Sequence, residues 1–114
     1  MNTPNEMPLE ITCRGVKDKL DTGEPFLFVD CREADEHALA RIAGARLVPM
    51  SELANRLSEF EPYREAEIIL HCHHGGRSER VANWLRGQGF SKARTMVGGI
   101  DRWAEEIDRE VPRY

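Results

Sequence analysis

The stretch that decides the fold is Glu67-Ile68-Ile69-Leu70-His71-Cys72-His73-His74-Gly75-Gly76-Arg77-Ser78. Ile68, Ile69 and Leu70 form a short apolar run of the kind that builds a buried strand, and the run ends at a cysteine. Gly75 and Gly76 then interrupt the chain. From Arg77 or Ser78 onward, Ser78, Val81, Ala82 and Leu85 keep helical spacing until Gly87 and Gly89. Strand, tight loop and helix in that order set a thiol at the carboxyl end of a strand and an arginine where a helix begins.

The same alternation extends in both directions. Upstream, Leu9 and Ile11 read as a strand, and Thr12 caps a helix with Val16 and Leu20 four apart and Gly23 as its stop. Phe26 to Val29 is a second buried strand, bounded by Pro25 and Asp30. Glu33 to Ala40 reads as a helix broken at Gly44, and Ala45 to Val48 as a strand closed by Pro49; Ser51 is expected to cap a helix carrying Leu53, Leu57 and Phe60. Downstream, Ala93 to Val97 is strand-like, Gly98 and Gly99 turn the chain, and Ile100, Trp103, Ala104 and Ile107 line one face of a last helix. Short strands alternating with helices imply an α/β protein: an open, largely parallel sheet covered on both faces, with ligands at the carboxyl ends of the strands. Cys72 and Asp30 both stand at such ends.

Composition bounds what this unit can be. With 114 residues, 40% hydrophobic and 32% charged, the chain has material for one globular domain, expected over residues 9–114 behind a flexible tail over residues 1–8. The longest aliphatic and aromatic run, Phe26 to Val29, is far short of the ~20 residues a membrane span needs. Met1 to Pro8 has no basic cluster and no apolar core of a secretory signal, so the expected compartment is the cytoplasm. A net charge of −4 argues against direct nucleic-acid binding. Cys13, Cys31 and Cys72 form no even set and no CxxC, which suggests neither a disulfide framework nor a zinc site.

The loop after Cys72 has the makings of an anion cradle. Glycines let successive N–H groups turn toward one point, and the following helix adds about half a positive charge at its N-terminus. Both effects favour Cys72 as thiolate, the reactive species, and Arg77 or a protonated His73 or His74 pushes the same way. Four residues separate Cys72 from Arg77, one fewer than in tyrosine-phosphatase loops. The smaller loop suits a single extra sulfur better than a phosphate group.

The CHHGGRS segment, Cys72 to Ser78, resembles the active-site loop of the rhodanese, or thiosulfate sulfurtransferase, family. Val29-Asp30-Cys31-Arg32-Glu33 through Ile42-Ala43-Gly44-Ala45, and Val97-Gly98-Gly99-Ile100 with Trp103 and Val111-Pro112-Arg113-Tyr114, are similar to two further segments of that family. The resemblance implies a rhodanese-like three-layer fold, a central five-stranded, mostly parallel sheet with helices on both faces, and a sulfur-transfer cycle without metal or organic cofactor. Cys72 would take sulfur from a small anionic donor such as thiosulfate, hold it as a persulfide on the loop of His73, His74, Gly75, Gly76, Arg77 and Ser78, and yield it to a thiol or cyanide. It also implies that Asp30 and Arg32 lie beside the site and that Glu36 is an acidic partner for arginine. Arg41, Ala43 and His37 depart from the residues common at those positions.

Blander readings accompany each of these. Asp30 and Arg32 suit an ion pair joining strand to helix, Cys31 and Cys13 suit buried packing, and Trp84 and Trp103 suit core or boundary positions. Arg77, Arg80 and Arg86 read as a solvated helix face. His73 and His74 can act through backbone N–H groups alone. Two other classes of function compete: an interaction or sulfur-relay module receiving sulfur from a protein partner, and a cysteine phosphatase or arsenate reductase.

Overall fold

The computed structural model describes residues 7–114, so the expected tail falls outside the described residues except for Met7 and Pro8. The main-chain carbonyls of those two accept hydrogen bonds from Arg86 and Arg94, which tie the chain to the sheet from Met7 onward. The elements are β1 (Glu10–Ile11), α1 (Cys13–Thr22), β2 (Leu27–Asp30), α2 (Ala34–Leu39), β3 (Arg46–Leu47), β4 (Ile68–His71), α3 (Gly76–Gly87), β5 (Ala93–Met96) and α4 (Gly99–Glu106). All pairings are parallel, in the order β1-β5-β4-β2-β3. The two-residue strands β1 and β3 stand at the edges, where short strands leave little unpaired backbone.

Local chemistry explains most boundaries. Thr12 caps α1 by accepting the Gly15 N–H at 3.0 Å, and Gly23 ends it in the left-handed region at φ 73°. The expected helix after Ser51 is instead two 3₁₀ segments, Met50–Glu52 and Ala54–Tyr63, the second with Pro62 inside it. Proline has no N–H to give to an α-helical ladder. Ser51 does not cap; its hydroxyl donates to Glu33 Oε1 at 2.7 Å.

Side-chain alternation along the central strands divides the core. Leu27, Val29, Cys31, Ile68, Leu70 and Cys72 pack with Leu53, Phe60, Val81, Ala82 and Leu85 on one face. Phe28 and Ile69 pack with Cys13, Val16, Ile100 and Trp103 on the other. Helices therefore cover both faces, as a parallel sheet requires. The β2–β4 register pairs Asp30 with His71, so an acid and a histidine stand abreast at the carboxyl ends of neighbouring central strands, one residue before Cys72. Among the described residues no helix is long and apolar enough to cross a membrane.

Candidate active site

β4 delivers Cys72 to the sheet edge, and the chain turns at Gly75, whose φ of 113° strongly disfavours any side chain. The turn directs two amides at the sulfur: Gly75 N–H donates to Cys72 Sγ at 3.1 Å and Ser78 N–H at 3.4 Å. Ser78 Oγ lies 3.5 Å from the same sulfur and shares a 2.6 Å hydrogen bond with Thr95 Oγ1 on β5. Cys72 is 1% exposed, and a cavity of about 320 Å³ lined by Cys72, His73, His74, Gly76, Arg77 and Arg80 adjoins it.

The loop is held from outside by α4. Two amides of its first turn, Ile100 N–H and Asp101 N–H, donate to the carbonyls of Cys72 and His73 at 2.9 and 3.0 Å. Gly99 makes that approach feasible. At φ 59° it has no Cβ, and one placed there would fall 2.5 Å from the Cys72 carbonyl oxygen and closer still to that of His73.

Arg77 faces Glu36, not the sulfur. Its guanidinium donates to both Glu36 oxygens, at 2.6 and 2.8 Å. That bidentate pair holds the Glu36 carboxyl down at about 2 and raises the guanidinium further above its ordinary value. The expected solvated face of arginines is thus corrected. Arg77 is a clamp from α3 to α2, Arg86 donates to the carbonyls of Ala93 and Met7, and Arg80 alone of the three lies exposed without a polar partner among the described residues.

Beneath the clamp lies a buried polar network. Arg32 and Asp30 are both fully buried and joined by 2.9 and 2.7 Å hydrogen bonds, the strand-to-helix ion pair anticipated from sequence. Arg32 also donates to the carbonyls of Glu36 and Ala40 and to Tyr114 Oη. Burial pushes the Asp30 carboxyl up, but the Arg32 hydrogen bonds, with His71 and His37 nearby, bring it down to about 2. His71, wholly buried, is pushed down to about 4 by desolvation, against the pull of Asp30.

Three of these residues escaped sequence reading. His71 is legible in hindsight from strand alternation, since it must point to the face opposite Cys72, beside Asp30. His37, taken there as a departure of structural interest only, places Nδ1 2.8 Å from Asp30 Oδ2. Tyr114 carries no local signal. Its hydroxyl donates to Glu36 Oε2 at 3.0 Å while accepting from Arg32 at 2.7 Å, and its ring stacks on His73 at 3.9 Å and 7°. His74 stacks on the other side of His73, also at 3.9 Å.

The remaining cysteines are buried free thiols, as their bland readings held. Cys31 donates to the His71 carbonyl, and burial raises its pKa. Cys13 sits under the β5–α4 turn, raised to about 11 by burial. Among the described residues no group of three or more His, Cys, Asp or Glu side chains could hold a metal ion.

A parallel sheet with helices on both faces, carrying a cysteine in an amide cradle at a strand's carboxyl end, defines a class of α/β proteins with a cysteine-bearing loop between a central strand and a helix. The family model of the rhodanese-like domain matches residues 12–106, a span containing Asp30, Arg32, Glu36 and the whole loop but not Tyr114, and the chain belongs to that family. It is 34% identical over 109 residues to adenylyltransferase and sulfurtransferase MOCS3-2 of Zea mays, covering 91% of this chain but only 23% of the maize protein. Among solved structures, a rhodanese-like domain protein of Staphylococcus aureus superposes with a TM-score of 0.79 at 28% identity, over 94% of this chain and 99% of that one. The human single-domain sulfurtransferase TSTD1 superposes with a TM-score of 0.74 at 26% identity, over 88% and 98%. The five-stranded rhodanese-like fold and the relation to sulfurtransferases stand on these matches.

Proposed function

We propose that the protein moves a sulfane sulfur from a small anionic donor such as thiosulfate to a thiol or cyanide acceptor, through a persulfide on Cys72. The Cys72 thiolate attacks the outer sulfur of thiosulfate, the S–S bond breaks, and sulfite leaves with the electron pair. The acceptor thiolate or cyanide then attacks the terminal sulfur and returns Cys72 as thiolate. The observation that carries this reading is the pair of N–H donors from Gly75 and Ser78 at Cys72 Sγ. Donors that solvate a thiolate also suit the anionic end of a persulfide and require no cofactor. Arg77, tied to Glu36, shapes the loop in this scheme. The reducing cytoplasm suits three free thiols.

The test is intact mass after incubation with thiosulfate and again after cyanide, with Cys72→Ser in parallel. A gain of one sulfur, confined to the wild type and removed by cyanide, is expected. No gain even with a polysulfide donor overturns the reading. A second reading, delivery of the same sulfur to a protein partner in a relay, is favoured by the similarity to one part of the maize protein, whose name joins adenylyl and sulfur transfer. The two differ only in acceptor, so turnover limited by every small thiol tried would favour the relay. Phosphatase chemistry is disfavoured by the four-residue spacing; hydrolysis of p-nitrophenyl phosphate would revive it.

A further inference from the structure

His73 and His74 follow Cys72 directly, and their side chains meet α4 and the segment that follows it. The His73 imidazole lies between two rings, Tyr114 at 3.9 Å and 7° on one side and His74 at 3.9 Å and 29° on the other. His73 Nε2 is buried without a hydrogen-bond partner among the described residues, so stacking holds that edge of the ring. Arg113 secures the same segment by donating to both Asp101 oxygens at 3.0 and 3.1 Å, while the Asp101 N–H donates to the His73 carbonyl. The Tyr114 hydroxyl reaches further, to Glu36 Oε2 at 3.0 Å, the oxygen that also accepts from Arg77 at 2.8 Å. Tyr114 therefore grips the loop at both ends: by its ring at His73, the residue after Cys72, and through Glu36 at Arg77, the residue before Ser78.

We infer that Tyr114 is a positioning residue for the Cys72 loop, holding the Gly75 and Ser78 amides on the sulfur from outside the cavity. The inference rests on the sulfur-transfer reading for what those amides do. Tyr114 does not line the cavity over Cys72, whose walls include His73 and Arg77, so it acts through them. Gly75 and Gly76 carry no side chains that could fix the span between His74 and Arg77, so its shape depends on the grips at its ends. Hydrogen bonds weaken steeply with misalignment, and donors to an anionic sulfur work best when aimed beforehand. Ring and hydroxyl contribute separately: the ring holds His73, and the hydroxyl holds the Glu36 carboxylate that Arg77 grips. Tyr114 lies beyond residues 12–106, the span matched by the rhodanese-like domain, so this role adds to the features that span carries.

The test reads positioning apart from turnover. In amide NMR spectra of the full chain, Tyr114→Ala is expected to shift the Gly75 and Ser78 signals and to move the His73 ring protons downfield as the stacked ring is lost. Tyr114→Phe, which keeps the ring, should leave the His73 protons in place and move the two amides less. In steady-state kinetics with thiosulfate and cyanide, Tyr114→Ala should lower kcat about tenfold at a KM within about twofold of wild type, the pattern of a lost transition-state interaction. Tyr114→Phe should rescue most of that, with kcat down about threefold. Tyr114 is 40% exposed, so its truncation spares the core; if Tyr114→Ala still melts below the assay temperature, Tyr114→Leu, which has bulk but no flat ring, takes its place with the same expectations. Unmoved Gly75 and Ser78 amides, a wild-type kcat, or a loss confined to KM would overturn the inference. Failure of the sulfur-transfer reading shows separately: the wild type would gain no sulfur by mass from thiosulfate, whatever the NMR shifts read.

Discussion

Replacing Asp30 by Asn tests whether the network under the loop stands on one buried charge pair. Both partners are fully buried, and Asp30 accepts from Arg32 through its backbone N–H at 3.0 Å, Nε at 2.9 Å and a terminal nitrogen at 2.7 Å. Two routes lead to the magnitude. Lowering the carboxyl from 3.8 to about 2 corresponds to ~2.5 kcal/mol of stability. Removing one member of a buried pair, which strands the other charge, costs about 3–5 kcal/mol. They meet near ~3 kcal/mol. At about 2 kcal/mol per molar urea, the unfolding midpoint should fall by roughly 1.5 M. Arg32→Met in the same protein should recover much of the loss, since the stranded guanidinium is gone. A midpoint within about 0.3 M of wild type at unchanged slope would refute the reasoning. It would mean that the carbonyls of Glu36 and Ala40 and the hydroxyl of Tyr114 satisfy Arg32 without the carboxylate.

Other outcomes follow from the same geometry. Glu36→Gln should release Arg77 and lower kcat/KM for sulfur transfer about tenfold, checked by steady-state kinetics, and should lower stability by about 1 kcal/mol in urea unfolding, since the charge-assisted pair with Arg77 is lost. His71 is held neutral when folded, at about 4 against an ordinary 6.5. The unfolded chain therefore binds the extra proton between these values, and stability falls as pH drops from 6.5 toward 4, by up to ~3 kcal/mol. His71→Leu should flatten that limb of the pH–stability curve, and an unchanged limb would assign it to another group. Gly99→Ala should be severely destabilising or displace the loop, because its Cβ collides with the carbonyls of Cys72 and His73; a wild-type melting temperature with full activity would contradict this. Tyr114→Phe removes the hydroxyl bridging Arg32 and Glu36 but keeps the His73 stack, so a loss of about 1 kcal/mol in urea unfolding is expected.

The strands and the candidate nucleophile were legible because their signals are local. An apolar run ending at a cysteine, two glycines and a helical period lie within twelve consecutive residues, Glu67 to Ser78, and each signal acts on its own backbone. The Gly98-Gly99 turn was legible too, as the break between the last strand and the last helix. Ser51 misled because a serine ahead of apolar residues at helical spacing looks the same whether the segment becomes α or 3₁₀. Pro62 and the hydrogen bond to Glu33 decided otherwise.

By itself, then, the sequence determined an alternating parallel α/β fold and the place of Cys72 within it, since burial period and loop chemistry need only neighbours along the chain. Only the tertiary structure decided what the charges do. Whether Arg77 faces sulfur or Glu36, whether His71 is buried, and whether Tyr114 reaches the site depend on residues 41, 41 and 78 positions apart. Those contacts come from strand register and from the layering of helices over the sheet. A charged side chain reads the same in sequence whether solvated or paired, and the free energy that distinguishes the two arises when the fold removes its water.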